Sequence, residues 1–329
     1  MDKIDILMAT YNGEKYLADQ IESILNQKYA NFNLIISDDN STDSTKQILR
    51  EYEKKDDRIK VFFNKKNIGS NENFKKLLKK VESKFFMFCD QDDIWYETKI
   101  EESLKKMQND DADLIFTDLE IVDSNLNVIN ESFNKKKKYY RKIIKYHDLR
   151  RVFLYNVVTG CTILCKSKYI NDILKFTDNK NILHDHIVAL LVSLKGKVTY
   201  LNKPTVKYRQ HTNNQVGSKR YVDRFTNFYD IRKHLINVKI NLFEYYEENK
   251  VFFNKSQREF NKLSLIYFYN LREKKYINLK KLTVFYKLYK NESFGNFVMN
   301  FFIMNIPFIV NIVFGLKNIL KKGVRKINE

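Results

Sequence analysis

Short apolar runs alternate with longer amphipathic stretches along the first part of this chain. Residues 4–9, 32–37, 59–63 and 85–89 are apolar runs of strand length. Runs of this kind, bounded by polar turns, read as strands buried on both faces, as in a parallel sheet. Between them, apolar residues recur at helical spacing. In 14–27, Tyr16, Leu17, Ile21, Ile24 and Leu25 share a face; a second helix runs to about 54, and a third carries Phe74, Leu77 and Leu78. Ser41 or Thr42 can cap the second. Further on, the pattern predicts a helix over 97–107, a strand at 113–117, β-structure at 157–165, a helix at 184–194, and β-structure at 198–201 and 205–208. Such alternation predicts an α/β domain: a mostly parallel sheet flanked by helices, with right-handed crossovers.

Polar tips follow the first, second and fourth strands: Thr10-Tyr11-Asn12-Gly13, Asp38-Asp39-Asn40-Ser41-Thr42-Asp43 and Asp90-Gln91-Asp92-Asp93. In a parallel sheet these lie on one edge, where open α/β sheets bind ligands. Three carboxylates in four positions repel one another unless positive charge sits among them. A hard divalent cation that also holds substrate phosphates is the usual answer. An acidic helix start is the plainer reading of the same residues. Tyr11 could stack on a flat base, and Asp38 could accept the imide N–H of a pyrimidine. Together the tips describe a nucleotide-diphosphate pocket.

After Gly217 the pattern changes. Residues 225–246 and 260–271 are long, aromatic-rich helical stretches with Lys and Arg between. We expect two regions, 1–215 and a helical, basic 216–329. The net charge is +19, with +13 in 216–329 and +6 before it. That asymmetry points to a polyanionic partner, nucleic acid or an anionic membrane. The basic run 135–145 reads as a solvated loop or helix face. Residues 293–316 carry no charge, which is long enough to span a bilayer. However, Ser293, Asn296, Asn300, Pro307 and Asn311 fall on one side at helical spacing, and Lys317, Lys321, Lys322, Arg325 and Lys326 follow. This reads as a helix lying in the membrane interface, drawn to anionic lipid on the cytoplasmic side. A spanning helix and a helix packed on the main domain are the alternatives.

Composition narrows the class. The three cysteines, Cys89, Cys161 and Cys165, form no disulfide framework and no zinc spacing. No cleavable apolar leader precedes residue 4, so a cytosolic location is expected. Neither a Gly-x-Gly-x-x-Gly turn nor a Gly-Lys-Ser/Thr loop is present, which argues against dehydrogenases and P-loop enzymes.

The stretches Ala9-Thr10-Tyr11-Asn12-Gly13, Asp38-Asp39-Asn40-Ser41-Thr42-Asp43, Asn67-Ile68-Gly69 with Asn73, and Cys89-Asp90-Gln91-Asp92-Asp93-Ile94-Trp95 occur in this order. In this the chain resembles family 2 glycosyltransferases of the GT-A fold over residues 3–215. The Gln-Asp-Asp-Ile-Trp form is similar to that of bacterial rhamnosyltransferase-like members. The resemblance implies that Thr10, Tyr11 and Asn12 line a nucleoside pocket, with Asp38 on the base and Gly69 and Asn73 beside it. Asp90 and Asp92 would be the Asp-x-Asp pair, for ribose and metal, with Asp93 a further candidate ligand for Mg²⁺ or Mn²⁺. Asn156-Val157-Val158-Thr159-Gly160-Cys161-Thr162 resembles the segment before the catalytic helix. His184-Asp185-His186 stands where the family places its acidic catalytic residue, so Asp185 would act as general base. His184 departs from the usual acidic residue; His184 and His186 point roughly 200° apart on a helix and cannot easily share one ion. His211 would be a metal ligand and Arg209 a phosphate partner. Trp95 could be a sugar platform or core, and with Gly160 and His184 it is assigned to the acceptor side.

The function so implied is inverting, metal-dependent transfer of a sugar, rhamnose by resemblance. The donor would be a deoxythymidine- or uridine-diphosphate sugar. The acceptor would be a lipid-linked surface glycan, reached from the inner face of the cell membrane, with no nucleic-acid partner. The alternative is a non-catalytic, basic amphipathic protein that binds lipid or nucleic acid.

Overall fold

Four parallel strands set the geometry of the sheet edge that carries the polar tips in a computed structural model that describes residues 2–133, 158–176, 182–211 and 228–272. They are β1 (Ile4–Thr10), β2 (Phe32–Asp38), β3 (Ile59–Phe63) and β4 (Phe85–Cys89), in the order β3-β2-β1-β4. Their register puts Thr10 beside Asp38 and Met8 beside Cys89. The polar tips after β1, β2 and β4 therefore leave the sheet at nearly one level. Helices α1 (Leu17–Leu25), α2 (Thr45–Lys55) and α3 (Ser70–Leu78) make the crossovers. Leu17, Ile21 and Ile24 of α1 are fully buried against Ile4, Ile6 and Met8 of β1 and their neighbours. Truncating one such side chain, as in Ile21→Ala, costs about 2–5 kcal/mol.

Beyond β4 the sheet turns mixed. β4 pairs antiparallel with β8 (Ile163–Lys166), which pairs antiparallel with β6 (Leu114–Val122). β6 runs parallel to β9 (Val198–Arg209) and takes β7 (Val128–Asn130) alongside, while β9 pairs with the short β5 (Ile94–Trp95). Helices α4 (Lys99–Asn109), α5 (Ile170–Lys175) and α6 (His184–Lys195) complete what is described of the first unit. β5 and β9 matter most for the site, because their pairing lays the end of β9 against the loop that follows β4.

Two expectations change. The β-structure expected at 157–165 begins as a 3-10 turn, Gly160–Thr162, because Thr162 turns its amide back to the Thr159 carbonyl at 2.9 Å. The two β-segments expected near 200 and 206 are one strand. Pro204 has no N–H to give the ladder, and the pairing with β6 slips there from Thr117 opposite Leu201 to Asp118 opposite Pro204.

The chain divides into two compact units, Met1–Val216 and Gly217–Glu329. In the second, α7 (Phe228–Glu248) and α8 (Lys255–Arg272) pack with Phe243 stacked on Phe268, ring centroids 5.7 Å apart. Asn254 and Gln257 form a reciprocal capping box at the start of α8: Gln257 N donates to Asn254 Oδ1 (3.0 Å) and Asn254 N to Gln257 Oε1 (2.8 Å). Among the described residues no helix is long and apolar enough to cross a membrane. Residues 135–145 and 293–316 lie outside the described residues.

Candidate active site

The loops after β1 and β2 are braced by their own side chains. Asn12 and Asn40 adopt positive φ (47° and 62°), which asparagine tolerates. Asn12 Oδ1 accepts the Thr42 amide at 2.8 Å, and its own amide donates to Ser41 Oγ at 2.9 Å. Asp38, expected on a base, is fully buried; its carboxylate accepts Thr10 Oγ1 (3.1 Å), Ser41 N (2.9 Å) and Ser41 Oγ. It is a brace for the two loops and offers no accessible edge to a ligand. Asn73 is likewise buried, donating to the Ser37 carbonyl at 2.7 Å. Asp39 holds the loop before α3 by accepting Gly69 N (2.8 Å) and Ile68 N (2.9 Å). Gly69 has φ +87°, a left-handed conformation that favours glycine. Tyr11 is the exposed aromatic of this edge, 46% accessible.

Gln91 ties this region to the acid loop. Its amide accepts Tyr11 N at 2.9 Å and donates to Tyr11 O at 3.1 Å, a two-point latch. In the sequence Gln91 stands only as part of the Gln-Asp-Asp-Ile-Trp stretch, with no role assigned to its side chain.

The end of β9 closes the acid loop from the other side. Arg209, expected on phosphate, is 3% accessible. Its amide donates to Asp93 Oδ1 (3.1 Å), Nε to the Asp92 carbonyl (2.9 Å), NH1 to the Ser124 carbonyl (2.9 Å) and NH2 to Asp19 (3.3 Å). Its guanidinium lies 4.4 Å from the Tyr16 ring centroid. Arg209 is thus a buried clamp, because its donors are aimed at protein oxygens. Two residues on, His211 Nε2 lies 2.8 Å from Asp92 Oδ2. The His211 ring also rests on Tyr16 at 4.9 Å.

Asp185, in the first turn of α6, accepts Gly160 N at 3.0 Å on Oδ2 and His186 N at 2.7 Å on Oδ1. These bonds aim the carboxylate. Asp185 also acts electrostatically on Asp90, which brings the start of α6 to the acid loop. Of the three residues assigned to the acceptor, Trp95 and Gly160 are buried and His184 is half-buried. Trp95 lies in the core with the Lys99 ammonium 4.7 Å from its centroid. The His184 ring stacks on Phe74 at 4.0 Å and meets Phe88 edge-on, and burial pushes its pKa down to about 3. A side chain at Gly160 would press on His184 Nε2 at 3.2 Å. Gly160 and His184 back the Asp185 turn.

The acid loop carries strong repulsion. Burial, then Asp92 and Asp185, raise Asp90 to about 7. Asp93 is fully buried and pushed well up, first by burial and then by Asp92 and Asp90. Asp90, Asp93 and Cys161 have ligand atoms within 4.8 Å of one another. A divalent cation would relieve this crowding. Asp92 and His211, hydrogen-bonded to each other beside that group, are the other expected ligands. Their facing atoms are 2.8 Å apart, close to the roughly 3 Å between adjacent ligands around a small octahedral ion. Asp93, expected as a ligand, is buried and accepts the Arg209 amide on Oδ1, and its carboxyl belongs to the Asp90, Asp93 and Cys161 group.

Comparison with known proteins gives the family and the fold. Residues 5–173 match the family model "Glycosyl transferase family 2". The chain is 33% identical over 223 residues to dTDP-rhamnosyl transferase RfbG of Shigella flexneri, covering 64% of this chain and 74% of that protein. It is 31% identical over 142 residues to the UDP-Glc:alpha-D-GlcNAc-diphosphoundecaprenol beta-1,3-glucosyltransferase WfgD of Escherichia coli, covering 43% and 55%. The mannosyltransferase PcManGT of Pyrobaculum calidifontis, solved with GDP-Man and Mn²⁺, superposes with a TM-score of 0.55 at 11% identity, over 98% of this chain and 82% of that one. The mixed sheet with flanking helices is the GT-A fold. With carboxylates from the β4 loop and α6 and an imidazole after β9 at one edge of that sheet, this chain belongs to glycosyl transferase family 2.

Proposed function

We propose that this glycosyltransferase moves a sugar from a nucleoside-diphosphate donor to a hydroxyl of a lipid-linked glycan, with inversion at the anomeric carbon. The observation that carries the reading is the convergence of Asp90, Asp92, His211 and Asp185 from three separate segments. The Asp185 carboxylate takes the acceptor proton as the acceptor oxygen forms its bond to the anomeric carbon. The bond from that carbon to the diphosphate oxygen breaks, and the electron pair leaves with the nucleoside diphosphate. Asp92 and His211 would hold Mg²⁺ or Mn²⁺, whose charge offsets that of the departing diphosphate. Tyr11 offers the accessible ring for the base, with Thr10 and Asn12 shaping its loop.

The likeness to a dTDP-rhamnosyl transferase favours deoxythymidine-diphospho-rhamnose as donor. The likeness to an enzyme named for a diphosphoundecaprenol acceptor favours a lipid-linked glycan. The basic charge of 216–329 favours work at the inner membrane face. A panel of nucleotide sugars, incubated with Mn²⁺ and undecaprenyl-diphosphate-linked acceptors, tests this by product mass. Transfer from the deoxythymidine-diphospho-rhamnose arm is expected; turnover of another donor alone would overturn the rhamnose assignment.

A further inference from the structure

Helix α6, which carries Asp185, has no cap of its own. The residue before it is Leu183, whose apolar side chain cannot accept a helix amide. The first amides of a helix have no partner within it and need one from elsewhere. For His184 N that partner is Asn71 Oδ1, 3.1 Å away and 113 positions earlier in the chain. The other end of the same side-chain amide, Asn71 Nδ2, donates to the Ile182 carbonyl at 2.9 Å. Asn71 therefore grips the backbone on both sides of Leu183. It stands in the first turn of α3, and from the same helix Phe74 stacks on the His184 ring at 4.0 Å. A polar and an apolar contact from one helix thus meet the same turn. α3 is itself tied to the β2 tip, where Asp39 accepts Ile68 N and Gly69 N.

We propose that Asn71 is a positioning residue for sugar transfer: it caps α6 from another helix and fixes the turn from which Asp185 projects. It acts through the backbone at His184, one residue before the carboxylate. With that turn held, the Gly160 and His186 amides meet the Asp185 oxygens at 3.0 and 2.7 Å. Without Asn71, two backbone groups lose their partner and the first turn of α6 frays. Through α3 the same side chain joins the β2 tip, on the nucleoside side, to the helix that carries the base. This role rests on the reading of Asp185 as general base.

The test uses the full chain with Asn71→Ala, Asn71→Asp, Asp185→Asn, and Asn71→Ala combined with Asp185→Asn. Amide hydrogen exchange over 182–190 and steady-state transfer from the nucleotide sugar that turns over in the donor panel are the readouts. Asn71→Ala should speed exchange in the first turn of α6 about fivefold, the scale of a lost helix cap. It should lower kcat about tenfold or more, as a displaced catalytic group does, with donor KM near that of wild type. Asn71→Asp keeps an acceptor for His184 N, so it should recover most of the protection and of kcat. In the Asp185→Asn background, Asn71→Ala should cost nothing further in kcat, because the carboxylate it positions is gone. An Asn71 that merely packs would lower the thermal midpoint and leave kcat per folded molecule unchanged. Unchanged exchange in Asn71→Ala, or an equal loss of kcat in both backgrounds, overturns the proposal. Should Asn71→Ala fail to fold, Asn71→Asp decides: exchange and kcat close to wild type support the cap, and loss of both overturns it. If no donor turns over, or if Asp185→Asn keeps full activity, the functional reading fails and exchange alone decides whether Asn71 caps α6.

Discussion

His211 Nε2 lies 2.8 Å from Asp92 Oδ2, which joins the end of β9 to the acid loop across 119 positions of sequence. The contact is held on both sides. Arg209 clamps the loop carbonyl at Asp92, and Tyr16 supports both the Arg209 and His211 side chains. A pair fixed in this way would lose little freedom on taking up the proposed cation.

His211→Ala should therefore raise the Mn²⁺ concentration needed for half-maximal transfer by at least about tenfold. Transfer rates measured across a Mn²⁺ titration check this. An unchanged titration removes His211 from the metal site.

Asp185→Asn should lower kcat by about 10²–10⁴, the usual contribution of a positioned general base. Asparagine can still accept the Gly160 amide that orients Asp185, so binding of deoxythymidine or uridine diphosphate should survive. Calorimetry with the nucleotide and steady-state rates separate the two effects. Full activity in the variant would dismiss Asp185 as base.

Gly13→Ala should act through Gln91. A Cβ at Gly13 would stand 2.4 Å from Gln91 Oε1. The amide can swing away at little steric cost, but only by leaving Tyr11 N and O. Losing two hydrogen bonds at about 1 kcal/mol each would loosen the loop, so donor KM should rise by up to about thirtyfold with a smaller change in kcat. Gln91→Ala should reproduce the effect. Donor KM values matching wild type in both variants would show that the latch contributes nothing.

Asp113 should govern acid stability. Burial alone would raise its pKa, but Lys168, the Lys197 amide and Lys166 outweigh burial and hold the carboxyl at about 2. The unfolded value is about 3.9. A depressed folded value means the stabilisation is complete above about pH 4 and is lost as pH falls towards 2. Both lysines are partly in water, so the effect is about 1–2 kcal/mol. Asp113→Asn should cost that much at pH 7 and flatten the fall in stability between pH 5 and 2, as read by urea unfolding at a series of pH values.

Removing residues 293–329 should move the protein from the membrane pellet to the supernatant. That stretch holds the uncharged, weakly amphipathic run and the basic cluster after it. Unchanged partitioning after fractionation would count against a membrane role for it.

Local chemistry carried much of this reading. Strand-length apolar runs placed β1 to β4 within a residue, since burial on both faces leaves a near-continuous apolar signature. Helical spacing placed the crossover helices only to within about three residues, α1 starting at Leu17 and α2 at Thr45 after Ser44, not Ser41 or Thr42. Register was less legible. Pro204 looks like a strand break in sequence, and only the pairing with β6 shows one strand continuing through a slip. Residue roles diverged most where burial decides them. Asp38, Arg209, Trp95 and His184 have side chains suited to a ligand, yet each is turned inward by partners distant in sequence.

By itself the sequence determined the α/β order, the polar tips on one sheet edge and the carboxylates a sugar-nucleotide site needs. Those properties are local, set by hydrophobic period and residue type. Tertiary structure alone decided which carboxylates face outward and what Arg209 grips. Such outcomes depend on which groups share a low-dielectric space, and the pairing of β5 with β9 creates that space only once the chain has folded.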